Sequence, residues 1–195
     1  MPSELGTRPA TPRTRGIATV FTMTGWTSFL LQLVLLVISA LTLLFSLSGR
    51  NLNTESSNSG AGLGIILAVA GLLVLVFSIY WSFQYTRLGK RLKLSNPSMK
   101  PKRESVARTL RIGLLINLLG MLLTFLGIEI TVVTLLGKSF AQFQPAAFYD
   151  PNQFIRAFDI FVVQTNASIL AAHLGGTLAS LWLFIWVHGQ EPVRE

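Results

Sequence analysis

Residues 158–187 read FDIFVVQTNASILAAHLGGTLASLWLFIWV. The stretch is long enough to cross a hydrocarbon core, which takes about 20 apolar residues. Its N-terminal half is nevertheless polar, with Asp159, Gln164, Asn166 and His173 among the aliphatic residues. Asp159, Asn166, His173 and Ser180 are spaced by seven, and Thr177 falls on the same face. Seven residues nearly complete two helical turns, with a drift of about 20° per heptad. These groups therefore line one side of a helix, and that side must face protein, water or a ligand rather than lipid. Gln164 points away from the stripe and needs a partner of its own. One membrane helix with a polar face requires other helices to cover it.

The rest of the chain supplies them. Apolar blocks at about 26–47, 61–83 and 107–136 join 158–187 to make four candidate spans. Charged residues are 12% of the chain, about half the usual ~25% of soluble domains. The blocks are too long for barrel strands, and backbone groups in lipid must pair within their own segment, so the spans are helices. The expectation is an all-α polytopic membrane protein, with a four-helix domain over residues 21–189. Residues 1–20 are expected to be a disordered tail, too polar for a secretory signal, and residues 190–195 a short C-terminal tail. The segment KSFAQFQPAAFYDPNQF (138–154) is aromatic and weakly charged, and reads as a loop lying along the membrane surface. The absence of cysteine excludes disulfides, iron–sulfur ligation and thiolate metal sites.

The net charge of +8 does not indicate a nucleic-acid partner, because its position is that of a membrane protein. Nine of the sixteen Lys and Arg residues lie between Arg87 and Arg111, in one inter-span segment. The two tails and that segment hold thirteen of them, and the other two loops hold three. The positive-inside rule then places both termini on the cytoplasmic or stromal side. Arg87, Lys90, Arg91, Lys93, Lys102 and Arg103 are the candidates for contact with anionic lipid or a partner.

Within the spans, Gly60, Gly64, Ala68 and Gly71 form a small-residue stripe suited to close helix packing. No Lys-Ser/Thr follows these glycines, so they are not a phosphate loop. Span 3 carries Gly113, Asn117, Gly120, Thr124, Gly127, Thr131 and Thr134 on one face, a thin polar surface able to meet the stripe of span 4. The intramembrane polar set is thus Asn117, Thr124, Gln164 and Asn166, with its hydroxyls and amides expected to bond across helix contacts. Glu129 lies off that face, inside the outer third of span 3, where an ionised carboxylate is costly. Glu129, Asp159 and His173 together offer the oxygen and imidazole donors that a ferrous-type ion accepts, although no pair has a recognised ligand spacing. His173 could alternatively hold a chlorophyll magnesium, the weaker candidate. No nucleophile–base pair, phosphate loop or redox motif is present, and the chain is not expected to be an enzyme.

Several segments carry a family resemblance: RTRGIATVFTMTGWTSFLLQLVL (13–35), YWSFQYTRLGKRL (80–92), RESVARTLRIGLLINLLGMLLTFLG (103–127) and FDIFVVQTNASILAAHLGG (158–176). In this order they resemble the cyanobacterial and chloroplast "permease in chloroplasts" family, whose plastid members are small inner-envelope components of the Tic translocon. The resemblance implies four membrane helices in a chloroplast inner envelope or a cyanobacterial plasma or thylakoid membrane. It also implies membrane transport, of iron or another metal ion as substrate. The alternative is a non-catalytic subunit or assembly factor of a larger membrane complex, a protein translocon or a photosystem. Expected partners are lipid and either further copies of the chain or a larger membrane complex.

Overall fold

A computed structural model describes residues 12–51, 59–92, 103–141, 155 and 157–188. They form four helices: α1 (Pro12–Asn51), α2 (Ser59–Leu92), α3 (Arg103–Ala141) and α4 (Ala157–His188). All four are long and apolar enough to cross a membrane. The protein is a multi-pass integral membrane protein, all-α among the described residues. Successive helices run antiparallel and pack in a ring, α1 beside α2, α2 beside α3, α3 beside α4 and α4 beside α1. The short diagonal joins α2 and α4. Half of the most apolar stretch of α4 is buried, against 22–28% in the other three helices. The span whose apolar stretch has the lowest mean hydropathy is therefore the most enclosed, as its heptad of polar groups requires.

The helices outrun the spans read from hydropathy. At 1.5 Å per residue, the 39 residues of α3 extend nearly 60 Å, about twice the hydrocarbon thickness. The surplus lies mainly at the basic end, where Phe21, Tyr85, Val106, Leu110 and Leu183 form a second core beyond the central one. This corrects the expected disordered tail: residues 12–20 are helical, beginning at Pro12. Proline suits a first helical turn, where its missing N–H would have no partner. The extension is held because Ala18 and Phe21 are fully buried. The assignment of residues 1–11 and of the C-terminal 190–195 to tails lies outside the described residues. So does most of the expected surface loop, except that α3 continues through Lys138 to Ala141.

The central core is aliphatic, with Leu43, Ala68, Leu75, Ile79, Ile169 and Ala172 in mutual contact. Many of the other large apolar side chains point outward. Leu44, Phe77, Leu115 and Ile185 are each 60% or more exposed, the arrangement expected where lipid takes the place of water.

Candidate functional site

The middle of the bundle is polar, and all four helices contribute to it. Asn117 on α3 is the hub. Its Oδ1 accepts from Ser78 Oγ of α2 at 2.7 Å and from Gln32 Nε2 of α1 at 3.2 Å. His173 Nδ1 of α4 stands 3.2 Å from the same oxygen. Asn117 Nδ2 donates back to Gly113 O in its own helix. The chain of bonds continues along α1 and α2: Gln32 Nε2 donates to Ser78 Oγ (2.8 Å), Ser82 Oγ donates to Gln32 Oε1 (3.0 Å), and Ser28 Oγ pairs with Ser82 Oγ (3.1 Å). Gln32, Ser78, Asn117 and His173 are all essentially inaccessible. In a low-dielectric interior such a network holds the helices to one register, because any slip leaves several polar groups unpaired at once.

His173 is held differently from the amides. Its Nε2 faces the carbonyl oxygen of Gly71 at 3.4 Å, while Nδ1 faces Asn117 Oδ1. Both ring nitrogens therefore meet acceptors. A neutral imidazole has one N–H and can satisfy one of them. The other nitrogen keeps its lone pair against an oxygen, which makes this the least settled point of the core.

The packing that admits these groups comes from glycine. The heptad Gly113, Gly120, Gly127 of α3 runs antiparallel to the heptad Ser180, His173, Asn166 of α4. A Cβ on Gly120 would collide with the His173 ring, and one on Gly127 would lie 2.5 Å from Asn166 Oδ1. At Gly113 the space is filled by the Tyr85 hydroxyl, itself bonded to Ser180 Oγ at 2.9 Å. Each polar knob of α4 thus sits in, or beside, a notch where α3 has no side chain. Asn166 Nδ2 donates to Gly64 O of α2 and to Val162 O of α4. Its Oδ1 has no hydrogen-bond donor among the described residues and lies at the notch left by Gly127. Gly64, Ala68 and Gly71 of α2 are buried as the small-residue stripe requires.

The individual polar residues divide. Asn117 and Asn166 bond across helix contacts as expected. Thr124 does not: its hydroxyl donates to Gly120 O one turn back, and its methyl group meets Gly71. Thr131 does the same to Gly127 O. Gln164 is exposed and finds its partner on its own helix, donating to Ser168 Oγ.

Glu129, Asp159 and His173 do not form one cluster. Among the described residues no three His, Asp or Glu side chains gather closely enough to hold an ion. Asp159 is buried at one end of α4 and bonded to Lys138 Nζ at 2.6 Å. His173 is committed to the central network two heptads away. Glu129 is exposed on the outer side of α3. The sequence reading overlooked Lys138 because it fell in an apparent loop, and overlooked Ser28, Ser78 and Ser82 because lone serines are common in membrane helices. Their i, i+4 spacing on α1 (Ser28, Gln32) and α2 (Ser78, Ser82) was the available signal.

At the basic end, Arg87, Lys90 and Arg91 of α2 and Arg108 and Arg111 of α3 are exposed. Arg87 also lies over the Phe83 ring, 4.9 Å from its centre. The side chain of Arg103, and Lys93 and Lys102 entirely, lie outside the described residues.

Ser78→Ala is expected to destabilise the solubilised protein modestly, by about 0.6–2 kcal/mol, the worth of one interhelical bond. Gln32 and His173 remain at Asn117 Oδ1 to limit the loss. Denaturation in mixed micelles measures it.

These features define a class: a four-span helical membrane protein whose polar centre is closed by glycine-notched packing of its third and fourth helices. The model of the DUF3611 family, described as proteins of unknown function, matches residues 11–188, and the chain belongs to that family. It is also 32% identical over 168 residues to Protein TIC 21, chloroplastic, of Arabidopsis thaliana. That alignment covers 84% of this chain and 55% of the Arabidopsis protein, so the chain spans little more than half the length of this relative. The relationship bears out the resemblance drawn from the four segments above. No solved structure matches.

Proposed function

We propose that the protein is a non-enzymatic membrane subunit of a transport or translocation assembly in a photosynthetic membrane, with its basic end on the cytoplasmic or stromal side. The observation that carries this reading is the closure of the polar core. Four helices seal around Gln32, Ser78, Asn117 and His173, and the stripe that a single-chain pore would need is consumed by helix contacts. The core then acts as a register lock that presents outer helix faces and the basic end to other subunits and to anionic lipid. The similarity to a chloroplastic relative supports the location, in an envelope-type or cyanobacterial plasma or thylakoid membrane. Gentle extraction from native membranes followed by native mass measurement tests the reading: co-migration with other membrane subunits is expected, and a homo-oligomer alone would count against it.

The narrower reading is metal-ion transport, with iron as cargo. It is favoured by His173, whose two nitrogens both face oxygens at mid-bundle. Opening of the α3–α4 contact would offer an imidazole nitrogen with the Asn117 and Gly71 oxygens, donors that a ferrous ion accepts. Uptake of Fe²⁺ into proteoliposomes is its test. His173→Ala is expected to lower the initial rate at least tenfold, and a rate equal to that of protein-free vesicles for the unmodified chain sinks it.

A further inference from the structure

The polar core employs Gln32, Asn117 and His173, and the Lys138 pair employs Asp159. Among the described residues, one intramembrane carboxyl group is left over. Between Arg111 and Lys138, α3 carries a single charged side chain, Glu129. It is exposed on the side of α3 opposite the glycine stripe, and no described residue forms a hydrogen bond or ion pair with it. It lies nine residues inward from Lys138, roughly 13 Å along the helix axis, well inside a hydrocarbon layer about 30 Å thick. A carboxyl group facing lipid at that depth is costly whether ionised or neutral, because its polar atoms have no partner.

The surrounding face indicates what covers it. Leu115, Leu122, Glu129 and Leu136 are spaced by seven, and Leu118, Phe125 and Val132 follow three residues after the first three. All of these apolar side chains are exposed, from 36% to 65%. The spacing is that of an a/d seam in a left-handed helix pair, with one polar residue at an a position, the device that fixes register in such pairs. Copies of one protein inserted in the same orientation present α3 in parallel. Across a twofold axis along the membrane normal, identical a positions then meet at the same depth. A protonated carboxyl group both donates and accepts, so two facing Glu129 side chains satisfy each other.

We infer that the outer face of α3 is the contact between two copies of this chain, with Glu129 of one copy hydrogen-bonded to Glu129 of the other. The contact holds whatever the protein carries and does not depend on the reading above.

The chain has no cysteine, so single introduced cysteines report contacts cleanly. Leu122→Cys and Leu136→Cys, oxidised in native membranes, are expected to give disulfide-linked homodimers. Val34→Cys on α1 and Leu73→Cys on α2, which are 56% and 61% exposed, are not. Adding Glu129→Leu is expected to weaken dimerisation about tenfold, as loss of interhelical hydrogen bonds does, while Glu129→Gln retains it. Neither change touches the core, and an unchanged thermal unfolding profile checks that the monomer is intact. Cross-linking of Leu122→Cys to a chain of different mass, equal cross-linking from the control faces, or a dimer indifferent to Glu129→Leu overturns the inference. The two proposals fail separately. A homodimer without other subunits supports this contact and counts against the assembly, and a mixed assembly joined through α3 to a foreign chain does the reverse.

Discussion

Gly120→Leu is expected to abolish the native α3–α4 contact, with loss of folded protein from detergent extracts and a destabilisation of about 2–4 kcal/mol where any folded fraction survives. The cause is local. The first added carbon already occupies the space of the His173 ring, and the buried ring has little room to move, standing between Asn117 Oδ1 and Gly71 O. Overpacking of a well-filled interior costs about 1–3 kcal/mol. Displacing the ring also breaks its bond in the central network, worth about 1 kcal/mol more. Gly120→Ala carries the first part of this cost and is expected to lower the unfolding midpoint while keeping the fold. Gly137→Leu is the control on the same helix. Nothing lies within 4 Å of a Cβ at that position, so the change is expected to stay within about 0.5 kcal/mol of neutral. Thermal unfolding of the three variants in one detergent, read by helical signal, gives the comparison. Equal losses at positions 120 and 137 would show that glycine matters here through backbone flexibility and not as a notch for His173.

The same contact shows what the residues disclosed before the fold was seen. Helix number and the inward faces of α3 and α4 were legible because lipid imposes a strict rule: a polar side chain must turn away from it, so periodicity alone assigns the face. Gly113, Gly120 and Gly127 and the polar heptad of α4 could be matched on that ground. The partner of each amide was not legible. Gln32 meets Asn117 across 85 positions of sequence, and only the relative height of α1 and α3 brings them together. Hydropathy also ends a helix where the membrane ends, whereas these helices continue to Lys138 at one boundary and back to Pro12 at another. Both were therefore assigned to irregular segments. Residue type suggested a metal trio of Glu129, Asp159 and His173, but type says nothing of convergence. Asp159 had a cation beside it, His173 had two oxygens, and Glu129 faced outward.

Lys138→Met is expected to cost about 3 kcal/mol or more, and Asp159→Asn distinctly less. The pair closes at 2.6 Å with both side chains about nine-tenths buried. Removing one member of a buried pair typically costs about 3–5 kcal/mol, because the charge left behind has lost water and the opposite charge that faced it. The two members differ in their means of escape. A lysine has a long flexible stem and can carry its ammonium outward to the interface, and Lys138 sits in the last turn of α3, near the membrane boundary. Asp159 has a short side chain fixed in the first turn of α4 and cannot follow. A carboxylate in a first turn is favoured by the helix dipole, as is a cation in a last turn, each by about 0.3–1 kcal/mol. The native arrangement therefore has both helix ends in its favour. The exchanged pair, Lys138→Asp with Asp159→Lys, restores opposite charges but sets each against its helix end, so only partial recovery is expected. The double change Lys138→Met with Asp159→Leu removes both charges and is expected to lie within about 1 kcal/mol of the unaltered protein, since well-packed apolar substitutes for buried pairs are often neutral. Unfolding in mixed micelles at two salt concentrations measures the full cycle. A coupling energy that vanishes at high salt would mean that the pair is open to solvent, and the ordering Lys138→Met, exchanged pair, double apolar variant would no longer be required.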